Sequence, residues 1–468
     1  MTPIELAQTA GLSVPEPLAA PAELEHSLKP RHVSMIAIGG IIGAGLFVGS
    51  GASIAAVGPA IVLSYAVAGL LIIFVMRMLS EMAVAAPRAR SFTELIRAGL
   101  GPWAGFLSGW LYWYFWVVVV AVEAIAGAEI LHAWIPLATW QIGMLLLAGL
   151  TGVNLLSARS YGEFEFWLSS IKVAGIVVFI AIAAAFVFGL TSPHGPTFAN
   201  LTQFGGFAPH GPLSILAGVT SVIFALTGAE IATIAAAESK DPARTVSSIT
   251  VSVAGRIVLF FVVSIFLIVS AVPWTSIHPG HSPFTTALDA MHIPYAGVAM
   301  NLIVLVAVLS CLNSGLYVTS RILFVLAAHG DAPKSLVVVS KRRVPIRALL
   351  AGSVFGYAAL AASMLSASGV FSFLVNASGA TMLIIYLLLG LAQIRLRNRL
   401  GRSGQDALAI RMWLFPWLSW ATIGLIVVVL AAMTARPDLA SQLWSSLAVA
   451  GAVLGAWWGL GMMRARRR

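Results

Sequence analysis

Charged residues are scarce in this chain: Asp, Glu, Lys and Arg together make up 9% of its 468 residues, against about 25% in soluble domains. That shortage excludes an ordinary soluble enzyme, a nucleic-acid-binding protein and a disordered chain. Cysteine occurs once, at Cys311, which excludes a disulfide framework and any cysteine-based metal cluster. The sequence contains no HExxH, CxxC, P-loop or GxSxG motif. It therefore predicts no hydrolysis, no nucleotide use, no cofactor and no metal site.

Apolar residues are correspondingly abundant, at 59% of the chain, and they are accompanied by 43 glycines and 22 prolines. Both of these helix-weakening residues are commoner in membrane helices than in soluble ones. Apolar runs of about 20 residues, the length that crosses the hydrocarbon core, predict an all-α polytopic membrane protein with twelve transmembrane helices. The predicted spans are 33–55, 60–86, 103–131, 140–157, 164–190, 213–237, 247–272, 296–327, 347–365, 369–393, 413–434 and 441–463.

The positions of the basic residues predict the orientation of these spans. All but two of the 27 Lys and Arg residues fall in the tails, loops or helix ends on the side of the N-terminus. The exceptions are Arg436, in a loop on the opposite side, and Lys172, inside a span. By the positive-inside rule, both termini are expected in the cytoplasm. This topology also explains the net charge of +10 without a nucleic-acid partner.

Two of the spans carry signs of an interruption. The first contains six glycines within residues 38–51, each of which costs a helix about 0.8–1 kcal/mol relative to alanine. A break near Gly43–Gly45 would expose amides to an anion, although close helix packing through Gly39 and Gly43 is an alternative. The sixth span has Gly228 beside the carboxylate of Glu230. Paired interruptions of this kind indicate the binding site of an inverted-repeat transporter.

Ionisable residues inside a bilayer are costly and are therefore functional candidates. Lys172 lies nine residues beyond Glu163 in the fifth span and could gain and lose a proton, or could instead tie helices together through carbonyl oxygens. Glu230 could bond amides at the break, gate a cavity or carry a proton, and a structural role is an equal alternative. Glu123, deep in the third span, could face an amine or be a partly hydrated structural carboxylate. Asn154 and Asn313 are explained by hydrogen bonds between helices.

Seven stretches of the sequence resemble the bacterial amino acid permeases of the amino acid–polyamine–organocation (APC) superfamily, and most closely the 4-aminobutyrate (GABA) permeases. The resemblance runs from about Leu28 to Trp458. The stretches are LKPRHVSMIAIGGIIGAGLFVGSG at 28–51, MRMLSEMAVAAP at 76–87, GWLYWYFWVVVVAVEA at 109–124, NLLSARSYGEFEFWLSSIKV at 154–173, TGAEIATIAAAES at 227–239, SCLNSGLYVTSRILF at 310–324 and RMWLFPWLSW at 411–420.

The resemblance implies a LeuT-like fold, with an inverted 5+5 repeat plus two helices and with helices 1 and 6 interrupted. It implies proton-coupled uptake of a zwitterionic amino acid across the bacterial inner membrane. Lys172 would mediate proton coupling, with Glu230 and Glu123 as coupling or gating groups. Gly315 departs from the alanine expected there and could change the pocket volume. The implied substrate-binding residues are Ile42, Gly43, Ala44 and Gly45 for the carboxylate, Phe224, Leu226, Thr227 and Gly228 for the amine and chain, and Cys311 and Asn313 near the pocket.

These interpretations predict a division of the chain and leave alternatives open. The predicted parts are a cytoplasmic tail at 1–32, five-helix repeats at 33–190 and 213–393, an extracytoplasmic loop at 191–212, helices 11 and 12 at 413–463, and a basic tail at 464–468. The expected partners are a GABA-like amino acid, protons and membrane lipid. Alternatives are an exchanger or a permease for another amino acid, and, more remotely, a membrane-embedded enzyme.

Overall fold

The computed structural model describes residues 30–466 apart from 87–88, 90, 194, 232–254, 367–369, 371–373, 375–377, 379, 401–407 and 409. Regular structure in these ranges is helical throughout, which confirms the predicted all-α class. In this part of the chain, seven helices are long and apolar enough to cross a bilayer, and five shorter apolar helices accompany them. Most of the predicted N-terminal tail lies outside the described residues.

In the first half of the chain the helices follow one another closely, with short connections. They are α1 Pro30–Gly39, a π-helical turn Gly45–Gly49 that leads into α2 Ser50–Val57, α3 Ile61–Ala85, α4 Phe92–Leu100, α5 Pro102–His132, α6 Thr139–Leu156 and α7 Ala158–Val187.

In the second half the connections are longer and include short 3₁₀ turns. The helices are α8 Leu213–Leu226, a π-helical turn Val258–Val263 that leads into α9 Ser264–Ala271, α10 Pro283–Ala290, α11 Ala296–Ala328, α12 Ile346–Ala362, α13 Thr381–Arg399, α14 Trp417–Met433 and α15 Pro437–Arg466. The 3₁₀ turns are Phe198–Leu201, Trp274–Ser276 and Lys334–Val337.

Local sequence signals set several helix starts. The hydroxyl of Ser91 precedes α4 and accepts a hydrogen bond from the amide three residues later at 3.4 Å, and Ser157 does the same for α7 at 3.0 Å. Such caps satisfy amides that have no partner within the helix. Only Gly101 separates α4 from α5, and its φ of +104° favours glycine. Pro102 then occupies the first position of α5, where the missing N–H is not needed.

The two longest helices, α5 and α11, pack against each other and form the centre of the bundle. Helices α7 and α12 also pack on α11, while α1 lies against α7. The π-helical turn Gly45–Gly49 lies against α8. This arrangement brings the first and sixth predicted spans together beside the centre of the bundle.

The periphery of the bundle exposes large apolar side chains. On α15, Trp444 and Trp458 are 63% and 68% exposed, and on α6 Leu145 is 64% exposed. Leaving such side chains in water forgoes about 1.5–3 kcal/mol for each, whereas hydrocarbon accommodates them. The outer surface therefore suits a lipid environment, as expected for a multi-pass membrane protein.

The helix ends differ by a few residues from the predicted divisions of the chain. Helix α7 ends at Val187, three residues before the predicted end of the first repeat, and α8 begins at Leu213, where the second repeat was predicted to start. The predicted loop 191–212 contains the turn Phe198–Leu201. Helix α15 extends to Arg466 and so includes part of the predicted basic tail.

Candidate binding site at the helix breaks

The first predicted span is broken between α1 and the π-helical turn. Residues 40–43 are non-helical, so the break begins three residues before the predicted Gly43–Gly45. The Gly40 amide still donates to the Ile36 carbonyl at 2.9 Å and thereby completes α1. On the other side, the amides of Leu46 and Phe47 donate to the Gly43 carbonyl at 3.2 and 3.3 Å and start the next helical turn.

A carboxylate of the protein itself lies at this break. The Ala44 amide donates to both oxygens of the Glu123 carboxylate, at 3.1 and 3.3 Å. Glu123 projects from α5, and it is only 3% exposed. The start of a helix is a favourable place for an anion because amides point outwards there and the helix dipole is positive. At the break, the Ala44 amide is thus bonded to a carboxyl group of the protein itself.

The second break follows α8, which ends at Leu226. Thr227 is extended, and Gly228 has a φ of +126° that an L side chain rarely adopts. A Cβ at position 228 would overlap the Gly40 carbonyl of the first break. The two breaks therefore touch through backbone atoms. The part of the sixth predicted span from residue 232 onwards lies outside the described residues.

Glu230 is held beside the second break. One oxygen of its carboxylate accepts from the Gly228 amide and from the Tyr386 hydroxyl, both at 3.2 Å. The side chain is 1% exposed. Glu230 is thus placed to stabilise the non-helical backbone at Gly228, and it joins the break to α13, which carries Tyr386.

A small cavity of about 20 Å³, enough for about one water molecule, lies between the two breaks, α5 and α11. One of its walls is backbone from the breaks and another is aromatic. It is lined by Gly40, Ile41, Gly43, Gly45, Phe115, Trp116, Val119, Glu123, Phe224, Ala225, Thr227 and Cys311. An aromatic wall with a few polar groups at defined points is typical of a site for a small ligand.

Six of the residues singled out from the sequence line this cavity, and the others lie behind it. The lining ones are Gly43, Gly45, Phe224, Thr227, Cys311 and Glu123. Ala44 contributes its amide through the bond to Glu123, and the Ile42 carbonyl faces Lys172. Leu226 is fully buried in the packed core. Gly228 forms the contact between the breaks, and Asn313 belongs to a separate hydrogen-bonded group.

Lys172 is fully buried on α7. Its Nζ donates to the Ile42 carbonyl at 2.9 Å and to the Ser310 hydroxyl at 2.7 Å. The ammonium therefore joins the first break to α11. This geometry fits the alternative of a structural lysine that bonds to carbonyl oxygens. It also places the ammonium at Ile42, the residue between the cavity-lining Ile41 and Gly43.

Sequence reasoning missed Glu165, which is also fully buried. Its carboxylate accepts from the hydroxyls of Ser310 and Ser169, the latter at 2.9 Å, and from the Asn313 side-chain amide at 3.2 Å. Asn313 in turn accepts from Asn154 at 2.8 Å, which fits the predicted bonding between helices. The signal was present, because Glu165 and Lys172 are seven residues apart and therefore lie on one face of a helix.

The aromatic cluster of α5 divides between surface and site. The cluster consists of Trp103, Trp110, Tyr112, Trp113, Tyr114, Phe115 and Trp116, and Trp103 at one end of it is 37% exposed. Phe115 and Trp116, however, line the cavity. A Cβ at Gly315 would lie 2.7 Å from a Val120 methyl and 3.4 Å from the Trp116 ring. Alanine at this position would therefore be too close to Val120, which does not line the cavity, and would make only an ordinary contact with the Trp116 ring.

An ion pair and a hydrogen bond away from the cavity join α4 to the residues that follow α11. Arg97 pairs with Asp331, and the His329 ring bonds to the Glu94 carboxylate at 2.7 Å. The Arg97 and Asp331 side chains are 7% and 5% exposed. Within the described ranges, no group of three His, Cys, Asp or Glu residues could hold a metal ion.

A helical bundle that has large apolar side chains on its outer surface and a small cavity beside a break in its first span is typical of a membrane transport protein. The comparisons with known proteins give the family. The pattern of the amino acid permease family matches residues 32–466. The chain therefore belongs to the amino acid permease family, which confirms the resemblance in its sequence, and it is a transporter rather than an enzyme.

Individual relatives match over nearly their whole length. The gamma-aminobutyric acid permease of Bacillus subtilis is 46% identical over 435 residues, which cover 92% of each chain. A probable GABA permease of Pseudomonas aeruginosa is 45% identical over 96% of this chain and 94% of its own. An aromatic amino acid transport protein of Corynebacterium glutamicum is 36% identical over 91% of this chain and 92% of its own.

Proposed function

We propose that this permease imports GABA, or a closely related ω-amino acid, across the bacterial inner membrane together with a proton. Relatives named as GABA permeases are 42–46% identical to it in sequence over the aligned residues. The observation that carries the proposal is the Ala44 amide, which lies at the first break and already binds a carboxylate. A substrate carboxylate has the same chemistry as the Glu123 group that it would replace.

The substrate spans the cavity from the first break towards the second. Its carboxylate takes hydrogen bonds from backbone amides of residues 42–45, and its amine and methylenes face Phe224 and Thr227. Thr227 is extended, and its hydroxyl donates back to the Ile223 carbonyl at 2.8 Å. That bond orients the oxygen of the hydroxyl as an acceptor for an ammonium group.

Glu123 acts as a gate for this site. Two carboxylates cannot both bind the Ala44 amide, because like charges at contact distance repel strongly in a buried site. Entry of the substrate therefore releases Glu123 from the break. When the substrate leaves, the hydrogen bond between the Ala44 amide and Glu123 forms again. Glu123 closes the anion site when the transporter is empty.

Lys172 couples transport to the proton gradient. Its ammonium bonds to the Ile42 carbonyl at the break, so that the charge of the lysine bears directly on the backbone that holds the substrate. A zwitterion plus one proton carries one positive charge inwards. Membrane potential therefore drives uptake with about 2.3 kcal/mol per 100 mV.

The proposed topology has twelve spans with both termini in the cytoplasm. The seven long and five shorter apolar helices of the described chain support this number, and the distribution of basic residues supports the orientation. Helices 1–5 and 6–10 would form the inverted repeat of a LeuT-like fold, with two further helices outside it. Substrate and ion sites of such folds lie at paired helix breaks near the midplane.

Uptake of labelled GABA into proteoliposomes tests the proposed function. An inward proton gradient should produce accumulation above the external concentration, and a protonophore should abolish it. Transport that ignores the pH gradient but exchanges internal for external amino acid would replace the symport proposal by exchange. Failure of GABA in both assays, with uptake of another amino acid, would overturn the substrate.

A permease for aromatic amino acids is the second candidate. The Corynebacterium glutamicum relative is named for such substrates, and three aromatic side chains, Phe115, Trp116 and Phe224, line the cavity. Parallel uptake of labelled phenylalanine in the same vesicles separates the two candidates.

A further inference from the structure

Three buried groups form a continuous chain of hydrogen bonds behind the cavity. The Lys172 ammonium donates to the Ser310 hydroxyl at 2.7 Å, and this hydroxyl donates to the Glu165 carboxylate. All three side chains are fully buried. Ser310 on α11 thus bridges two groups of opposite charge that both project from α7.

In the part of the chain that the structure describes, few other ionisable groups bear on these three residues. The groups that interact electrostatically with Lys172 are Glu165, Cys311 and Glu123, and Lys172 is the charged group that bears on Glu165. The remaining contacts of Glu165 are the neutral side chains of Ser169 and Asn313. The ammonium and the carboxylate therefore compensate each other's charge across one hydroxyl.

Transfer of one proton from Lys172 to Glu165 would convert the two charged groups into two neutral ones without a change in net charge. When Lys172 gives a proton to the Ser310 oxygen, the hydroxyl proton can pass to Glu165. The lysine becomes a neutral amine, the glutamate becomes a neutral carboxylic acid and the serine is unchanged. Such a transfer removes two buried charges together, and so avoids leaving one unpaired charge in a low-dielectric interior, which is costly.

The chain leads towards one surface of the protein. Glu165 lies near the start of α7, two residues beyond Glu163, whose side chain is 35% exposed and pairs with Arg31 at 2.7 Å. Positive charges on this side of the bundle mark it as the cytoplasmic side in the proposed topology. Glu165 is thus the buried carboxylate between Lys172 and the cytoplasm.

We propose that Lys172, Ser310 and Glu165 form a proton relay, in which Glu165 receives the proton of Lys172 on its way to the cytoplasm. This inference rests on the proposed proton-coupled function and adds Glu165 and Ser310 as residues of the proton path. Glu165 does not touch the substrate in this role, and its contribution is to the coupling step alone.

The test compares gradient-driven accumulation with counterflow exchange of labelled GABA in proteoliposomes, because exchange needs no net proton transfer. Their ratio corrects for any loss of folded protein. Glu165→Gln and Ser310→Ala are each expected to lower the ratio at least ten-fold. Glu163→Gln and Ser314→Ala are matched controls on the same helices, and each should keep the wild-type ratio.

The outcomes separate this proposal from the one on which it rests. If the wild-type protein shows no accumulation driven by a pH gradient, the proposed proton coupling fails. If the wild type accumulates and both Glu165→Gln and Ser310→Ala keep its ratio, the relay is wrong and proton coupling stands. Equal losses in the test and control variants would also overturn the relay, since the effect would then not be specific to the three groups.

Discussion

The two oxygens of the Glu123 carboxylate share the single N–H of Ala44, at N···O distances of 3.1 and 3.3 Å, although the two residues are 79 positions apart in the chain. A carboxylate from α5 therefore occupies the anion site of the broken first span. If the substrate binds there, it must displace this group. In the proposed mechanism, the Glu123 carboxylate holds the place of the substrate carboxylate until the substrate enters.

The first prediction follows from this displacement. A structure with GABA bound should show the substrate carboxylate on the Ala44 amide and Glu123 moved beyond hydrogen-bond distance, about 3.5 Å. Butylamine, which keeps the amine but lacks the carboxylate, should leave Glu123 in place. A GABA complex in which Glu123 still holds Ala44 would contradict both the gate and the proposed carboxylate site.

Lys172→Ala is expected to abolish accumulation of GABA against a gradient, because the variant lacks the ammonium that carries the proton. Counterflow exchange should persist if the backbone at Ile42 keeps its conformation without the hydrogen bond from Lys172. Uptake at several external pH values checks this prediction. A stable variant with the pH dependence of the wild type would show that Lys172 is structural only.

Gly43→Ala and Gly45→Ala should have different effects, although the two glycines are two residues apart. A Cβ at position 43 would lie 2.7 Å from a Glu123 carboxylate oxygen and 2.8 Å from the Cys311 sulfur. Both of these belong to the cavity wall. A Cβ at position 45 would instead lie 2.8 Å from the Ala225 Cα, which is backbone and cannot rotate away.

Gly43→Ala is therefore expected to weaken GABA binding by more than ten-fold with a small change in melting temperature. Gly45→Ala should lower the melting temperature more and keep near-normal affinity in the protein that remains folded. Ligand-induced thermal shifts on the two purified variants separate these effects. If both lose stability and neither loses affinity, the glycines serve helix packing alone. Valine at either position should produce the same effects more strongly.

The distance between the two anchors should determine substrate choice. GABA separates its charged groups by three methylenes, so β-alanine and 5-aminovalerate differ from it by one methylene each. Each misplaced methylene should change affinity by about 1 kcal/mol, from burial worth about 0.8 kcal/mol per CH₂. An α-amino acid such as leucine should lose more, because one charged group would be left unpaired.

Competition against labelled GABA by a panel of α-, β-, γ- and δ-amino acids provides the measurement. The expected order places the γ-amino acid first and its β and δ neighbours next. Aromatic or basic α-amino acids as the best competitors would exclude GABA as the substrate and leave the family assignment intact.

Asp331→Asn should destabilise the protein, because it leaves the buried Arg97 guanidinium without its charged partner. Removal of one member of a buried ion pair costs about 3–5 kcal/mol. The melting temperature of the purified variant in detergent measures the loss. Glu163→Gln, which breaks the exposed pair with Arg31, serves as the control and should melt like the wild type. Equal melting of Asp331→Asn and wild type would show that the buried pair is not needed for stability.

The helical class and the interruption of the first span could be predicted from the sequence because both rest on local patterns. Long apolar runs indicate membrane helices, and six glycines within residues 38–51 indicate a weak helix. The break lies earlier than predicted, at residues 40–43. It ends there because the Gly43 carbonyl already accepts the hydrogen bonds that start the next helical turn. Which of several glycines ends a helix depends on its neighbours in space, and these are not visible locally.

Contacts between distant parts of the chain could not be predicted in this way. The bond from Ala44 to Glu123 and the pair of Arg97 with Asp331 each join residues far apart in sequence. Nothing in one sequence selects these partners among the other acidic residues. Glu165 is a different case, since its spacing from Lys172 was readable. It was overlooked because it lies next to the surface residue Glu163 at the start of a span.

The contact between Gly40 and Gly228 has a mechanical consequence. Neither residue has a side chain, so the two non-helical segments meet as bare backbone. A displacement of one segment cannot be absorbed by side-chain rotamer changes at this contact. In the proposed site, the carboxylate end and the amine end are therefore joined by direct backbone contact, with no side chain between them.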